Sequence, residues 1–201
     1  MSSQERIFNL FAGATVLSWS CAIVVEQLRD PAVSWSPWVV AALHAVVGLL
    51  FLLRGPERRR ASVRAAASAA PGVLVAGFAA TPTAQSAAWP LLAEAVFATG
   101  GALAVVGLLC LGRSFAVLPS VRSVVDRGLY RFLRHPVYLG EGLMLVGCLL
   151  AEPGPGPGAL CLAAAALLSL RVRAEERALL RDPGYAAYCR RVPWRWLPGV
   201  L

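Results

Sequence analysis

Two short clusters in the second half of the chain hold side chains able to bind a charged ligand and act on it. The first is Gly128-Leu-Tyr-Arg-Phe-Leu-Arg-His-Pro-Val-Tyr-Leu-Gly140, where a polar, aromatic-rich segment runs straight into an apolar stretch. Pro136 suits the first turn of a helix, because its missing N–H would have no intrahelical acceptor there. The pattern predicts a helix N-terminus at the membrane surface with His135, Tyr138 and Gly140 grouped about it. Its free N–H groups suit a carboxylate or a ribose hydroxyl. The plainer alternative makes Tyr130, Arg134 and Tyr138 interfacial anchors and His135 a cap. The second cluster is Leu170-Arg-Val-Arg-Ala-Glu-Glu-Arg-Ala-Leu-Leu180. On a continuing helix it sets Arg171 and Glu175 four apart on one face. Arg171 can fork onto a carboxylate, while an acidic side chain favours cationic groups. Taken alone, such a pair reads as a solvated surface salt bridge.

Other chemistries lack their residues. Nothing resembles a Ser/His/Asp triad. The five cysteines (Cys21, Cys110, Cys148, Cys161, Cys189) show no CxxC or Cys/His ligand spacing, so they read as buried free thiols and no metal site is expected. The glycines from Gly100 to Gly112 do not follow a strand, which excludes a phosphate loop. They permit close helix approach instead, either within the monomer or across a homodimer. Among ionisable groups in apolar surroundings, Glu141 reads either as a simple interfacial position or as lining an acceptor entrance or serving as a base. Glu94 reads as a structural partner near the outer surface, and His44 as hydrogen-bonding a neighbouring helix or Glu26.

These clusters must be positioned by membrane spans. A hydrocarbon core of about 30 Å needs roughly 20 apolar residues in a helix. Four stretches come close, about Ile7 to Leu28, Pro37 to Leu53, Ala65 to Ala80 and Ala88 to Gly112. Two shorter ones, Val137 to Ala151 and Gly158 to Leu170, flank Glu152-Pro-Gly-Pro-Gly-Pro-Gly158. Prolines separated by glycines cannot continue a helix, so this joint is expected to be a tight turn in an antiparallel hairpin. The fold class is therefore all-α, a polytopic integral membrane protein with about five to six transmembrane helices, a short terminal hairpin and a C-terminal tail. Residues 1–112 form the N-terminal helices and 113–201 the catalytic region.

Charge orients the spans. Arg54 to Arg64, Arg113 to Arg134 and the tail from Arg171 each carry net +4, whereas Arg29 to Ser36 and Thr81 to Ala87 are almost uncharged. Alternating spans put all three basic blocks on one side, which the positive-inside rule names the cytoplasm, with both termini there. Composition agrees: 58% of residues are hydrophobic, more than a soluble core of 201 residues can hide, so the excess faces lipid. The formal charge of +8 comes from 19 arginines and no lysine, which reads as codon bias in a GC-rich bacterial genome and places the protein in a bacterial inner membrane. The arginines sit in blocks between apolar spans, not on one amphipathic surface, so no nucleic-acid partner is expected.

The two clusters in this order, around a hairpin, resemble the isoprenylcysteine carboxyl methyltransferases and their bacterial relatives. The matching elements are Gly-x-Tyr, Arg-His-Pro-x-Tyr-x-Gly, the apolar hairpin, Arg-x-x-x-Glu-Glu, Tyr-x-x-Tyr, Arg-Val-Pro and Leu-Pro, from about Phe115 to Leu201. The resemblance implies an S-adenosylmethionine site on the cytoplasmic face. Carried over by position, Tyr130, His135, Pro136, Val137 and Tyr138 would contact the cofactor. So would the backbone of Arg122, Ser123, Val124 and Val125. Glu175 would bind it too, with Glu176 as the alternative, and Arg171 would hold the acceptor. One polar contact of the family falls near Phe115 here and is lost. The implied reaction is methyl transfer to a lipophilic acceptor drawn from the membrane lipid phase, a carboxylate, phenol, enol or thiol. A phenol or enol would need a base such as Glu141. Two other classes compete: a sterol-reductase-like membrane oxidoreductase, and a non-enzymatic scaffold or transporter. Against the last, the charged and aromatic residues collect at one end and not at the midplane.

Overall fold

A computed structural model describes residues 3–29, 34–53, 89–115 and 124–196. Every regular element among them is helical. The helices are α1 (Ser3–Arg29), α2 (Ser36–Leu53), α3 (Leu91–Leu111), α4 (Pro136–Ala151), α5 (Pro155–Leu179) and α6 (Pro183–Arg191), with 3-10 turns at Gly112–Ser114 and Gly128–Arg131. Four of them, α1, α2, α3 and α5, are long and apolar enough to cross a membrane, and α4 is a shorter apolar helix of 16 residues. Phe11, Leu91, Leu92 and Leu162 are exposed on these helices, as lipid contact requires. The protein is an all-helical, polytopic membrane protein. The expected span Ala65 to Ala80 and the basic block Arg54 to Arg64 lie outside the described residues.

Glycine sets the tightest contact. A Cβ on Gly140 of α4 would stand 2.5 Å from the Gly100 carbonyl oxygen of α3, and one on Gly100 would stand 2.6 Å from the Gly140 carbonyl oxygen. The two backbones therefore touch. One heptad away on each helix the same device recurs: Gly107 admits Val137, and Gly147 admits Phe97. Bilayer lipid is as apolar as leucine, so helices there associate through this kind of close packing. The glycine stripe left open between monomer and dimer is thus used inside the monomer. Gly140 faces α3 and does not join the open helix end predicted around His135. The contact joins residues on both sides of position 112.

α1 and α2 pair through Ser20 Oγ, which donates to the Ala41 carbonyl at 2.8 Å, and through Gly13 and Gly48, which admit Leu52 and Leu17. Glu94 of α3 accepts from Trp35 N at 3.2 Å and so holds the start of α2. His44 departs from expectation. Its Nδ1 lies 2.9 Å from the Val40 carbonyl oxygen of its own helix, with Trp19 edge-on at 6.1 Å, so its bond goes neither to a neighbouring helix nor to Glu26.

The hairpin joint is shorter than the run of prolines suggests. α5 begins at Pro155, so only residues 152–154 connect the helices, and Pro155 and Pro157 lie in its first turn. The first-turn N–H groups have no intrahelical acceptor, so proline costs nothing there. The arms pack antiparallel, with Leu145 against Ala164 and Tyr138 against Leu168 and Val172. Beyond α5, Asp182 caps α6 by accepting from Gly184 N at 2.8 Å and Tyr185 N at 3.3 Å.

Candidate active site

Val192 precedes Pro193, a position that disfavours helix, and the chain leaves α6 extended. Residues 194 and 195 then run beside the start of α4. Arg134 N donates to the Trp194 carbonyl at 2.9 Å and His135 N to the Arg195 carbonyl at 2.7 Å. Arg134 Nη2 also donates to the Pro193 carbonyl. His135 occupies the N-cap position of α4 but makes no side-chain cap bond there. The tail thus pairs with the two residues that lead into α4, beside the helix end that was predicted to lie open.

Beneath this pairing sits Glu176, only 3% exposed. Its Oε1 accepts from Arg134 Nη1 at 2.7 Å and lies 3.3 Å from His135 Nε2, while its Oε2 is 2.7 Å from Arg195 Nε. A buried carboxylate needs such compensation, and here two guanidinium groups and an imidazole supply it. Glu176 therefore ties the tail to the Arg134-His135 junction. Tyr188 adds a neutral tie, its hydroxyl donating to the Tyr130 carbonyl at 2.7 Å. An exposed ion pair between Arg191 and Asp126 at 2.9 Å closes the outer edge.

Glu175 points into different company. The Tyr138 hydroxyl donates to Glu175 Oε2 at 2.5 Å and accepts from Arg171 Nε at 2.7 Å. The Arg171 guanidinium carbon lies 5.4 Å from the Tyr138 ring centre. The i,i+4 pair is thus linked through a buried phenol on the facing helix, not paired in solvent. Glu141, one turn along α4 from Tyr138, adds a second carboxylate in electrostatic contact with Arg171 and Glu175. Burial, and then Glu175, hold the Tyr130 hydroxyl well above its usual pKa, so it is neutral and able to donate.

The structure thus gathers Tyr130, His135, Tyr138, Glu141, Arg171, Glu175 and Glu176 at one end of the hairpin. Pro136 and Val137 turn their side chains onto Gly107 of α3, leaving only their backbone to this end. Val124 packs beside Tyr185 and Tyr188, whereas Arg122 and Ser123 lie outside the described residues. Phe115 is buried edge-on against Phe51 at 5.4 Å, an apolar role. Arg195 and Tyr185 were not foreseen as site residues. The extended Val192-Pro193 step is the signal that pointed to Arg195, since a non-helical tail can return its backbone to the bundle. Among the described residues no three His, Cys, Asp or Glu side chains form a group able to hold a metal.

An all-helical membrane bundle whose charged and phenolic groups converge at one end has the form of a membrane-embedded enzyme. Residues 92–181 match the model of the Isoprenylcysteine carboxyl methyltransferase (ICMT) family, a stretch that holds α3, α4, α5 and both glutamates. Over that stretch the chain is similar to this family, which supports an isoprenylcysteine carboxyl methyltransferase-like protein and, in general, a membrane methyltransferase. No curated protein matches it.

Proposed function

We propose that the protein transfers the methyl group of S-adenosylmethionine to a lipophilic acceptor at the cytoplasmic face of a bacterial inner membrane. The observation that carries this reading is the Tyr138 hydroxyl held between Arg171 and Glu175. That bridge fixes two opposite charges at different depths, since one helical turn along α5 is about 6 Å. Glu175, nearer the basic tail, suits the cationic groups of the cofactor. Arg171, nearer the apolar body of the hairpin, suits an anionic headgroup whose hydrocarbon stays in lipid. The donor set fits: a carboxylate for a cation, neutral phenols for hydroxyl and ring acceptors, and few anions elsewhere.

When bound, the cofactor supplies an electrophilic methyl on a sulfonium. Transfer to oxygen or sulfur needs alignment and exclusion of water more than a protein nucleophile. This chain's residues do that: Arg171 orients the acceptor, Glu175 and Tyr138 fix each other, and the tail seals the aqueous side. For a phenol or enol acceptor, Glu141, one turn along α4 from Tyr138, would serve as the base.

Calorimetry in detergent tests the reading. S-adenosylhomocysteine should bind, Glu175→Gln should weaken it about ten-fold to a hundred-fold, and Arg171→Ala should leave it nearly intact while abolishing turnover. Tight binding of NADPH without S-adenosylhomocysteine would instead assign the oxidoreductase class. The orientation follows from the basic blocks, and an impermeant thiol reagent labelling a cysteine at Gly199 from outside intact cells would overturn it.

A further inference from the structure

Tyr185 and Tyr188 lie on the same helix with ring centres 5.5 Å apart, yet their hydroxyls fare differently. Tyr188 donates to the Tyr130 carbonyl at 2.7 Å. Tyr185 is 5% exposed, and among the described residues its hydroxyl oxygen has no hydrogen-bond partner. The Cys189 thiol stands within reach of the hydroxyl, but it is a weak acceptor that also faces Arg134 Nη1 at 3.6 Å, so it does not satisfy the phenol. Leaving a buried hydroxyl unsatisfied costs about 1–3 kcal/mol, so a phenol kept there is explained by a partner that arrives later.

Its surroundings say what that partner is. The ring packs between Val124, on the segment before the first cluster, and Leu179 at the end of α5. The carboxylates of Glu175 and Glu176 act on the hydroxyl. Two acidic neighbours favour a neutral acceptor over a carboxylate or phosphate as the group received. Burial raises the Tyr185 pKa, with Cys189 and the two glutamates adding to it, so the group stays protonated and donates.

We propose that Tyr185 is a cofactor contact, its hydroxyl donating to a neutral oxygen or ring nitrogen on the nucleoside half of S-adenosylmethionine. The inference rests on the cofactor reading above and adds a residue beyond the matched stretch 92–181. Tyr185→Phe removes one oxygen and nothing else. The ligand-free variant should melt at the wild-type temperature or higher, because an unsatisfied polar atom has gone. Its affinity for S-adenosylhomocysteine and for 5′-methylthioadenosine, which keeps the nucleoside and lacks the amino-acid half, should fall by the same factor, about ten-fold. A lower melting temperature without ligand would show that the hydroxyl already has a partner and would overturn the proposal. Unchanged affinity, or a loss confined to S-adenosylhomocysteine, would overturn it as well. Wild-type protein that binds neither compound refutes the cofactor reading itself, whereas wild-type binding with an unaffected variant refutes only the role of Tyr185.

Discussion

Glu176→Ala should release the tail from the start of α4 without dissolving the helical bundle. The substitution takes the acceptor from Arg134 Nη1 at 2.7 Å, the partner from Arg195 Nε at 2.7 Å and the neighbour from His135 Nε2 at 3.3 Å. The two arginines do not suffer equally. The Arg195 side chain is 40% exposed and regains water, whereas that of Arg134 is 10% exposed and is left charged in a dry place. Breaking a buried pair in this way costs about 3–5 kcal/mol. At about 1.4 kcal/mol per decade, the lower figure already raises tail opening roughly a hundred-fold. Glu176→Gln keeps an acceptor and loses only the charge, for a smaller cost of about 1.5–3 kcal/mol. Hydrogen exchange reads this directly, because the amides of Arg134 and His135 are the donors to Trp194 and Arg195. Trypsin gives a second readout at Arg191 and Arg195, which should be cut faster. Glu175→Gln is the control, since Glu175 bonds Tyr138 and not the tail. Unchanged amide protection in Glu176→Ala, or equal release by Glu175→Gln, would refute the assignment of Glu176 as the clamp.

Gly140→Val should lower stability by about 1–3 kcal/mol or more, because its Cβ would meet a carbonyl at 2.5 Å, whereas Gly142→Ala, with nothing within 4 Å, should be tolerated. Thermal melting in one detergent compares the two, and equal effects would contradict the backbone contact. The pKa values of Tyr130, Tyr185 and Tyr188 are raised in the fold above an unfolded value of about 10, so their ionisation leaves stability untouched below about pH 10 and lowers it as pH rises further. The chain has no lysine to obscure this, and melting temperature should hold to about pH 9 and then fall. Tyr188→Phe should flatten that fall, and an unaltered slope would contradict it.

Much of this was legible in the sequence because helix chemistry is local. Pro136 after His135 marked the start of α4, and the spacing of Arg171 and Glu175 put them on one face whatever α5 packed against. Which glutamate met which partner was not legible. Glu175 and Glu176 differ by about 100° around the helix, and only the returning tail, with Trp194 and Arg195, decides that Glu176 faces the junction. The tight turn of the hairpin was legible but its extent was not, for a related reason: the same proline breaks a helix in its middle and begins one in its first turn. Gly140 sat inside a suggestive motif, yet its partner Gly100 is set by helix crossing, which residue spacing along one chain does not encode. The Tyr185 hydroxyl was invisible because an unsatisfied atom is a property of packing alone.

α4 has 16 residues and is about 24 Å long, against a hydrocarbon thickness of about 30 Å, while its partner α5 has 25 residues. Tyr138, near the start of α4, packs level with Leu168 and Val172, so α5 projects roughly two turns beyond it with Glu175 and Glu176 on that extension. A short apolar helix of this kind is accommodated by local thinning of the bilayer, by snorkelling of flanking side chains or by oligomerisation. Were the bilayer to thin there, its headgroup level would fall toward Arg171, which is held to the start of this short helix through the Tyr138 hydroxyl.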